Sequence, residues 1–190
     1  SLVGSEICIR DRYEGLDIPE PEVAYIDYKE RDPWSQRYYM TIRQDEFDIT
    51  ADQLQTARRA YFAMVSHLDE LVGGLMSTLK SIGQLENTYI FITSDHGEML
   101  GERGMWYKFN PYEASIRVPL IAQGPKFKAG HREDSLASLV DLLPTFVDIA
   151  SGGKFTGFAA PFDGRSLFEL PERLSDQDKI FIEFNGEGLY

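Results

Sequence analysis

The residues best suited to chemistry in this 190-residue chain lie in one stretch, Ser94–Lys108, which reads SDHGEMLGERGMWYK. Asp95 and His96 place a carboxylate and an imidazole side by side, and both are ligand types that divalent metal ions use. Lys108 adds a compact positive charge suited to an oxyanion such as sulfate or phosphate. Glycines between these residues let the backbone turn sharply. We therefore predict that the functional site is built from this stretch.

A purely structural interpretation of the same residues has to be weighed beside the chemical one. Asp-His-Gly after a strand is also typical of an ordinary turn, and a single lysine is usually a solvated surface group. Glu98, Glu102 and Arg103 are most simply a solvent-facing charged patch. Trp106 and Tyr107 are residue types that commonly fill a core.

The strand that leads into this stretch is predicted at Thr88–Thr93, which reads TYIFIT. Its β-branched and aromatic residues are typical of a strand that is buried on both faces. In open α/β sheets ligands bind at the carboxyl ends of the strands, where Asp95 would then lie. Further strands are predicted at Val118–Ala122, Ser135–Val140 and Lys179–Phe184.

A long helix is predicted over residues 51–82, packed on the strand at Thr88–Thr93. Thr50 with Gln53 three residues later is a capping-box pattern, and apolar residues then recur at three- and four-residue steps. Gly83 stands where a helix commonly ends on a glycine.

The remaining segments complete a predicted α/β chain. Residues 1–48 have no sustained period and are interpreted as irregular, whereas Leu142–Ala150 is predicted as a helix with Asp141 as its N-cap. Strands that alternate with helices favour a mainly parallel sheet flanked by helices.

Composition excludes several classes of partner. The chain has 19 Lys and Arg against 31 Asp and Glu, a formal net charge of −12. Such a surface repels phosphate backbones and anionic bilayers, so we expect no nucleic acid and no membrane as partners. A single cysteine, Cys8, allows no internal disulfide and no multi-cysteine metal cluster. We expect a cytoplasmic protein.

Several motifs together resemble one family. The Ser94–Lys108 stretch is followed by YEASIRVPLIA, and the chain also contains ARRAYFAMVSHLDELVGGL, SLVDLLPTFVDIA, DGRSL, FDIT and EFNGEG. In their order along the chain, these motifs resemble the sulfatases of the alkaline-phosphatase superfamily, and choline-sulfatases in particular. The resemblance implies an alkaline-phosphatase-like α/β sandwich that is incomplete in this chain.

The resemblance also implies roles for matching residues. Asp95 and His96 correspond to metal ligands from the second half of the catalytic domain, and Lys108 corresponds to the lysine that contacts the sulfate oxygens. The implied cofactor is a divalent ion. Oxygen ligands suit calcium or magnesium and a histidine ligand suits manganese or zinc; we expect calcium, with manganese or magnesium as alternatives.

The nucleophile of the family is a formylglycine hydrate made from Cys or Ser in a C/S-x-P-x-R motif. Cys8 is followed by Ile9, Arg10, Asp11 and Arg12, so the required proline is missing. We therefore expect the formylglycine upstream of Ser1. Residues 1–190 are interpreted as the central-to-later part of the catalytic domain, truncated at both ends and inactive alone.

The implied activity is hydrolysis of a small sulfate ester such as choline sulfate, by a full-length protein that we expect to be a homo-oligomer. A quaternary ammonium group needs aromatic faces or carboxylates around it, and the candidates are Trp106, Tyr107, Glu183 and Glu187. Two alternatives stay open: a phosphonate or phosphate ester hydrolase of the same superfamily, and a non-catalytic binding member of the fold.

Overall fold

The longest element of the computed structural model is the helix α2, Ala51–Ser81. The structure describes residues 12–154, 161–172, 179–180, 182–184 and 187–189. The chain divides into two units, Ser1–Phe127 and Lys128–Tyr190, which are described separately. The helices and strands of the first unit are α1 (Pro33–Thr41), α2, β1 (Ile90–Thr93), α3 (Glu113–Ile116) and β2 (Leu120–Gln123).

Both ends of α2 agree with the prediction from sequence. The Gln53 N–H donates to the Thr50 hydroxyl (3.2 Å) while the Thr50 N–H donates to the Gln53 side-chain oxygen (2.9 Å), which completes a capping box. After the helix, Gly83 adopts a φ of +67° and its N–H donates to the Lys80 carbonyl oxygen. Local capping signals therefore fix where this helix starts and stops.

The apolar face of α2 is exposed. Met64, Leu68, Leu71 and Leu75 are each more than half accessible to solvent. The prediction that this helix packs on the strand at 88–93 is therefore wrong for the described residues. No helix in the described ranges has both the length and the apolar character needed to cross a membrane.

The sheet of the first unit differs from the predicted one in direction and burial. β1 pairs with β2 in antiparallel register, with Ile90 opposite Gln123 and Thr93 opposite Leu120. Among the described strands there is thus no parallel pairing, and β1 is half-buried rather than covered on both faces. A two-stranded ribbon leaves part of each strand in solvent, whatever its sequence favours.

The segment 1–48 contains a helix that the sequence interpretation missed. α1 begins after Asp32, whose Oδ1 accepts hydrogen bonds from the N–H groups of Trp34 (3.0 Å) and Ser35 (2.9 Å). Asp followed by Pro33 at the first helical position is a start signal in its own right. Residues 1–11 lie outside the described ranges.

α1 carries the core that supports the site. Tyr38 packs with Met99 and Met105, and these two methionines are completely buried. Trp34, Ile42, Tyr112 and Ala114 pack around them. Because both methionines belong to the segment after β1, this core holds the predicted functional stretch against α1.

The second unit contains α4 (Leu142–Ser151), β3 (Ile182–Phe184) and β4 (Glu187–Leu189), and β3 pairs antiparallel with β4. The strand predicted at Ser135–Val140 is wrong, because this segment is irregular and leads into a 3₁₀ turn at Leu139–Asp141. The helix predicted at Leu142–Ala150 is confirmed. Asp141 does not cap it with its side chain, which instead accepts from the N–H groups of Ser138 and Arg165.

Candidate active site

The segment after β1 begins with the two predicted metal ligands. Asp95 lies two residues beyond the end of β1, so its predicted position at the carboxyl end of this strand is confirmed. The Ser94 hydroxyl donates to the His96 carbonyl oxygen (2.7 Å), and the His96 N–H donates to Asp95 Oδ1 (3.0 Å). These bonds form a tight turn that leaves the Asp95 side chain 85% exposed.

The His96 ring is oriented by the backbone. Its Nδ1 is 2.8 Å from the Gly97 carbonyl oxygen, and since that oxygen can only accept, Nδ1 carries the proton. In the neutral ring Nε2 then keeps its lone pair, and Nε2 is 3.5 Å from Asp95 Oδ2. Histidines that bind metals typically donate their other ring N–H to such an acceptor. His96 Nε2 and Asp95 Oδ2 are therefore close enough to bind the same divalent ion.

Asp95 is in the charge state that binds a cation. Desolvation acts to raise the pKa of Asp95, but the adjacent His96 ring and hydrogen bonds within residues 94–96 outweigh it and lower the pKa below its usual value. Across the described ranges, no group of three or more His, Cys, Asp and Glu side chains gathers in a metal-binding arrangement. Asp95 and His96 alone would offer one oxygen and one nitrogen donor, fewer than the six or more ligands of a calcium or magnesium ion, and their role as metal ligands stays a prediction.

Gly97 attaches this turn to α3. Its N–H donates to the Ser115 carbonyl oxygen at 2.7 Å. A Cβ at this position would lie 2.1 Å from the Ala114 carbonyl oxygen. Only glycine permits so close an approach of two backbone segments.

Residues 98–108 form a loop that folds back on itself, here called the return loop. The Met99 N–H donates to the Tyr107 carbonyl oxygen (2.8 Å), and the Gly101 N–H donates to the Met105 carbonyl oxygen (2.9 Å). The Tyr107 N–H donates to Glu98 Oε1 (2.6 Å). The backbone that leads into Lys108 is therefore brought back beside Glu98 and Met99, which follow His96 by two and three residues.

The tip of the return loop is attached to residues 22–31. The Glu102 carboxylate accepts from the N–H groups of Glu22 (3.0 Å) and Val23 (2.9 Å), and Arg31 Nη2 donates to the Arg103 carbonyl oxygen (2.8 Å). The Arg103 guanidinium lies 4.3 Å from the centre of the Tyr112 ring. The expectation that Glu102 and Arg103 belong to a solvent-facing charged patch is therefore wrong. Glu102 binds backbone N–H groups, and Arg103 lies over an aromatic ring.

Lys108 lies in a strained turn. Tyr107 before it and Phe109 after it have φ values of +64° and +70°, which non-glycine residues rarely adopt. Its Nζ is 5.2 Å from the centre of the Phe109 ring. Asn110 is buried, and its Oδ1 accepts from the Tyr112 N–H (3.1 Å). Strain of this kind persists only where surrounding contacts enforce it.

The predicted family is shown by comparison with known proteins. The family model described as Sulfatase matches residues 20–153. The chain belongs to the sulfatase family.

Individual relatives agree with this membership. The chain is 39% identical over 180 residues to choline-sulfatase of Rhizobium meliloti (strain 1021), covering 95% of this chain and 35% of the relative. It is 37% identical over 135 residues to arylsulfatase K of Mus musculus, covering 70% and 23% respectively. The sulfatase chain thus spans about a third or less of these relatives.

A solved structure supports the fold. Phosphonate monoester hydrolase from Silicibacter pomeroyi superposes with a TM-score of 0.72 and 27% identity, over 90% of this chain and 34% of that one. The predicted alkaline-phosphatase-like α/β fold of this sulfatase chain is therefore confirmed. The chain contains only part of the complete fold, since it covers 34% of that neighbour.

Trp106 and Tyr107 line a cavity of about 590 Å³ in the first unit of the sulfatase chain. The rest of its lining is mostly apolar and amide-bearing, with two acidic residues and no basic one: Ile42, Gln44, Glu46, Phe47, Asp48, Ile49, Gln53 and Ala57. Tyr107 is exposed, while the Trp106 carbonyl oxygen accepts from the Tyr38 hydroxyl (2.9 Å). The two aromatic residues therefore belong to a cavity wall rather than to the buried core.

Glu183 and Glu187 lie on β3 and β4 of the second unit, with Glu183 opposite Gly188 and Glu187 opposite Phe184. Their assignment to substrate binding stays a prediction. Cys8 lies outside the described residues.

Sequence reasoning missed the part played by Glu98 and Glu102. Each carboxylate accepts two backbone N–H groups, and three of the four donors are nine or more residues away. A local sequence pattern does not reveal such long-range bonds. The glycines that frame the return loop were the available signal that it folds back.

Proposed function

We propose that this chain is the central-to-later part of the catalytic domain of a sulfuric ester hydrolase that acts on a small sulfate ester such as choline sulfate. One observation carries the proposal. The return loop brings the backbone before Lys108 back to Glu98 and Met99, which closely follow Asp95 and His96 in the chain, and this supports a site that combines a positive charge with two metal-type ligands. Family membership over residues 20–153 supports the reaction class.

The proposed role of Lys108 is to stabilise negative charge on the sulfuryl oxygens as the S–O bond breaks. A point charge held by a strained turn needs little reorganisation, and loss of one such preorganised donor commonly costs about 100-fold in turnover. Asp95 and His96 are the residues that would hold a divalent ion, which when bound supplies further charge neutralisation at the same oxygens. The nucleophilic formylglycine is proposed to lie upstream of this chain.

The cavity lined by Trp106 is suited to bind a leaving alcohol that is cationic or neutral, such as choline. Its wall combines aromatic faces with Asp48 and with Glu46, whose carboxylate is paired with the Arg43 guanidinium (2.6 Å), and it contains no basic side chain itself. A trimethylammonium group gains from both aromatic faces and negative charge, whereas a second sulfate would be repelled. A substrate-binding role for Glu183 and Glu187 is a separate proposal.

Turnover by the full-length protein tests the proposal. Choline sulfate and nitrophenyl sulfate should be hydrolysed, and Lys108→Ala should lower kcat by about 100-fold or more without unfolding the protein. Lys108→Arg should restore little, because a planar fork replaces a compact charge. Lys80→Ala, on the exposed end of α2, is the matched control and should leave kcat unchanged. Normal turnover in Lys108→Ala would contradict the proposed role.

A phosphonate monoester hydrolase is the second candidate, favoured by the superposition at a TM-score of 0.72. The ratio of kcat/KM for phenyl sulfate to that for phenyl phosphonate decides between them. Binding of choline sulfate without turnover of any ester would instead favour the non-catalytic alternative.

A further inference from the structure

Glu98 occupies a central position in the return loop. Its Oε1 accepts hydrogen bonds from the N–H groups of Tyr107 (2.6 Å) and Leu100 (3.2 Å). The side chain is half-buried, and it comes two residues after His96. One carboxylate therefore connects the start of the loop with the residue immediately before Lys108.

The backbone that Glu98 holds is the strained one. Tyr107 and Phe109 both adopt left-handed conformations that their Cβ atoms disfavour, so the turn around Lys108 would relax if its restraints were removed. On the carbonyl side, the Tyr107 oxygen accepts from the Met99 N–H. On the amide side, Glu98 is the acceptor, and a charged acceptor makes a stronger bond than a neutral one.

We propose that Glu98 is a positioning residue that fixes Lys108 against the Asp95–His96 turn. This inference rests on the proposed function of Lys108. We do not place Glu98 in contact with any reacting atom. It binds the Tyr107 N–H, and the backbone at Tyr107 sets the orientation of Lys108, the next residue. A misplacement of about 1 Å at a reacting centre is enough to cost a large part of the rate.

Glu102 provides a matched control within the same loop. It is the same residue type and its carboxylate also accepts two backbone N–H groups, but these belong to Glu22 and Val23 at the far side of the tip. A general loosening of the loop would follow from either substitution. Displacement of Lys108 should follow only from the loss of Glu98.

The experiment compares Glu98→Ala, Glu98→Gln and Glu102→Ala in the full-length protein. Glu98→Ala should lower kcat by about tenfold or more with little change in KM, and Glu102→Ala should lower it by less than about twofold. Glu98→Gln keeps an acceptor oxygen, so it should recover part of the rate; it also serves if Glu98→Ala does not fold. In a Lys108→Ala background, Glu98→Ala should cause no further loss.

Amide hydrogen exchange reports on the same restraint without any substrate. Exchange in peptides covering residues 105–110 should become about tenfold faster in Glu98→Ala, and exchange in residues 20–26 should change instead in Glu102→Ala. Equal kcat in the two alanine variants, or a Glu98 effect that persists without Lys108, would overturn the proposal. A wild-type protein that hydrolyses no sulfate ester would overturn the proposed function alone, since exchange still tests the restraint.

Discussion

The return loop and the helix α2 differ in how they are stabilised. The loop has no regular secondary structure over most of its length, yet hydrogen bonds and two completely buried methionines hold it against α1. α2 has well-formed caps and 31 residues, yet its apolar face is exposed. Regular structure and structural restraint are thus separate properties in this chain, and the candidate site belongs to the restrained region.

This contrast explains where strain can be stored. Non-glycine residues with positive φ cluster in the return loop and just after it, at Leu100, Arg103, Tyr107 and Phe109. Each such residue costs on the order of 1–2 kcal/mol, which only dense local bonding can offset. The exposed face of α2 offers no such support.

Removal of a buried methionine should produce the largest effect. Met105→Ala should lower the free energy of unfolding by about 3 kcal/mol, because it leaves a cavity in a completely buried position. Leu71→Ala on the exposed face of α2 should cost less than about 1 kcal/mol. Urea denaturation of the full-length protein measures both. Equal losses would mean that the two regions are equally buried there.

Crowding the turn after β1 should have the next largest effect. Gly97→Ala places a methyl group against the Ala114 carbonyl oxygen, so we expect a loss of about 1–3 kcal/mol in stability. Calcium or manganese affinity, followed by titration calorimetry, should fall as well, since His96 precedes the displaced residue. Adding Ala114→Gly should not rescue either property, because the clash is with backbone; a rescue would contradict this explanation.

The elements that the sequence predicted well are those with local signals. The bounds of α2 follow from Thr50, Gln53 and Gly83, which act within a few residues of each helix end. The helix α1 has an equally local start signal in Asp32 and Pro33. It was not predicted because residues 1–48 lack a sustained apolar period.

Long-range properties were beyond the sequence pattern. Two runs of β-branched and aromatic residues predict strands but not the direction in which β1 and β2 pair. In the candidate site, Asp95, His96 and Lys108 could be selected by residue type and position after a strand. The bond from Tyr107 to Glu98 depends on the return of the loop across nine positions, which no local pattern encodes.

A small gain in stability should come from the middle of α2. Gly73 and Gly74 lie within this helix, and a Cβ at either position would meet nothing within 4 Å. Gly73→Ala should therefore raise the free energy of unfolding by about 0.5–1 kcal/mol, since alanine favours the helix. Thermal denaturation of the full-length protein checks the sign. A loss of stability would indicate that this face is covered in the full-length protein.

The smallest predicted effect is the pH dependence of stability that Asp32 causes. Asp32 precedes α1 and accepts a hydrogen bond from the Tyr112 hydroxyl. Desolvation acts to raise the pKa of Asp32, but hydrogen bonds from Ser35, Tyr112 and the Trp34 N–H lower it more, so the folded pKa lies below its usual value of 3.8. A lowered folded pKa stabilises the protein above the unfolded pKa, and this contribution is lost as the pH falls through the folded value.

Because Asp32 is exposed, the contribution should stay below about 1 kcal/mol. Between pH 7 and about pH 3, the wild-type protein should therefore lose slightly more stability than Asp32→Asn, and Tyr112→Phe should lie between them because it removes one of several hydrogen bonds. Urea denaturation at a series of pH values measures the difference. A steeper loss in Asp32→Asn would reverse the sign that these hydrogen bonds require.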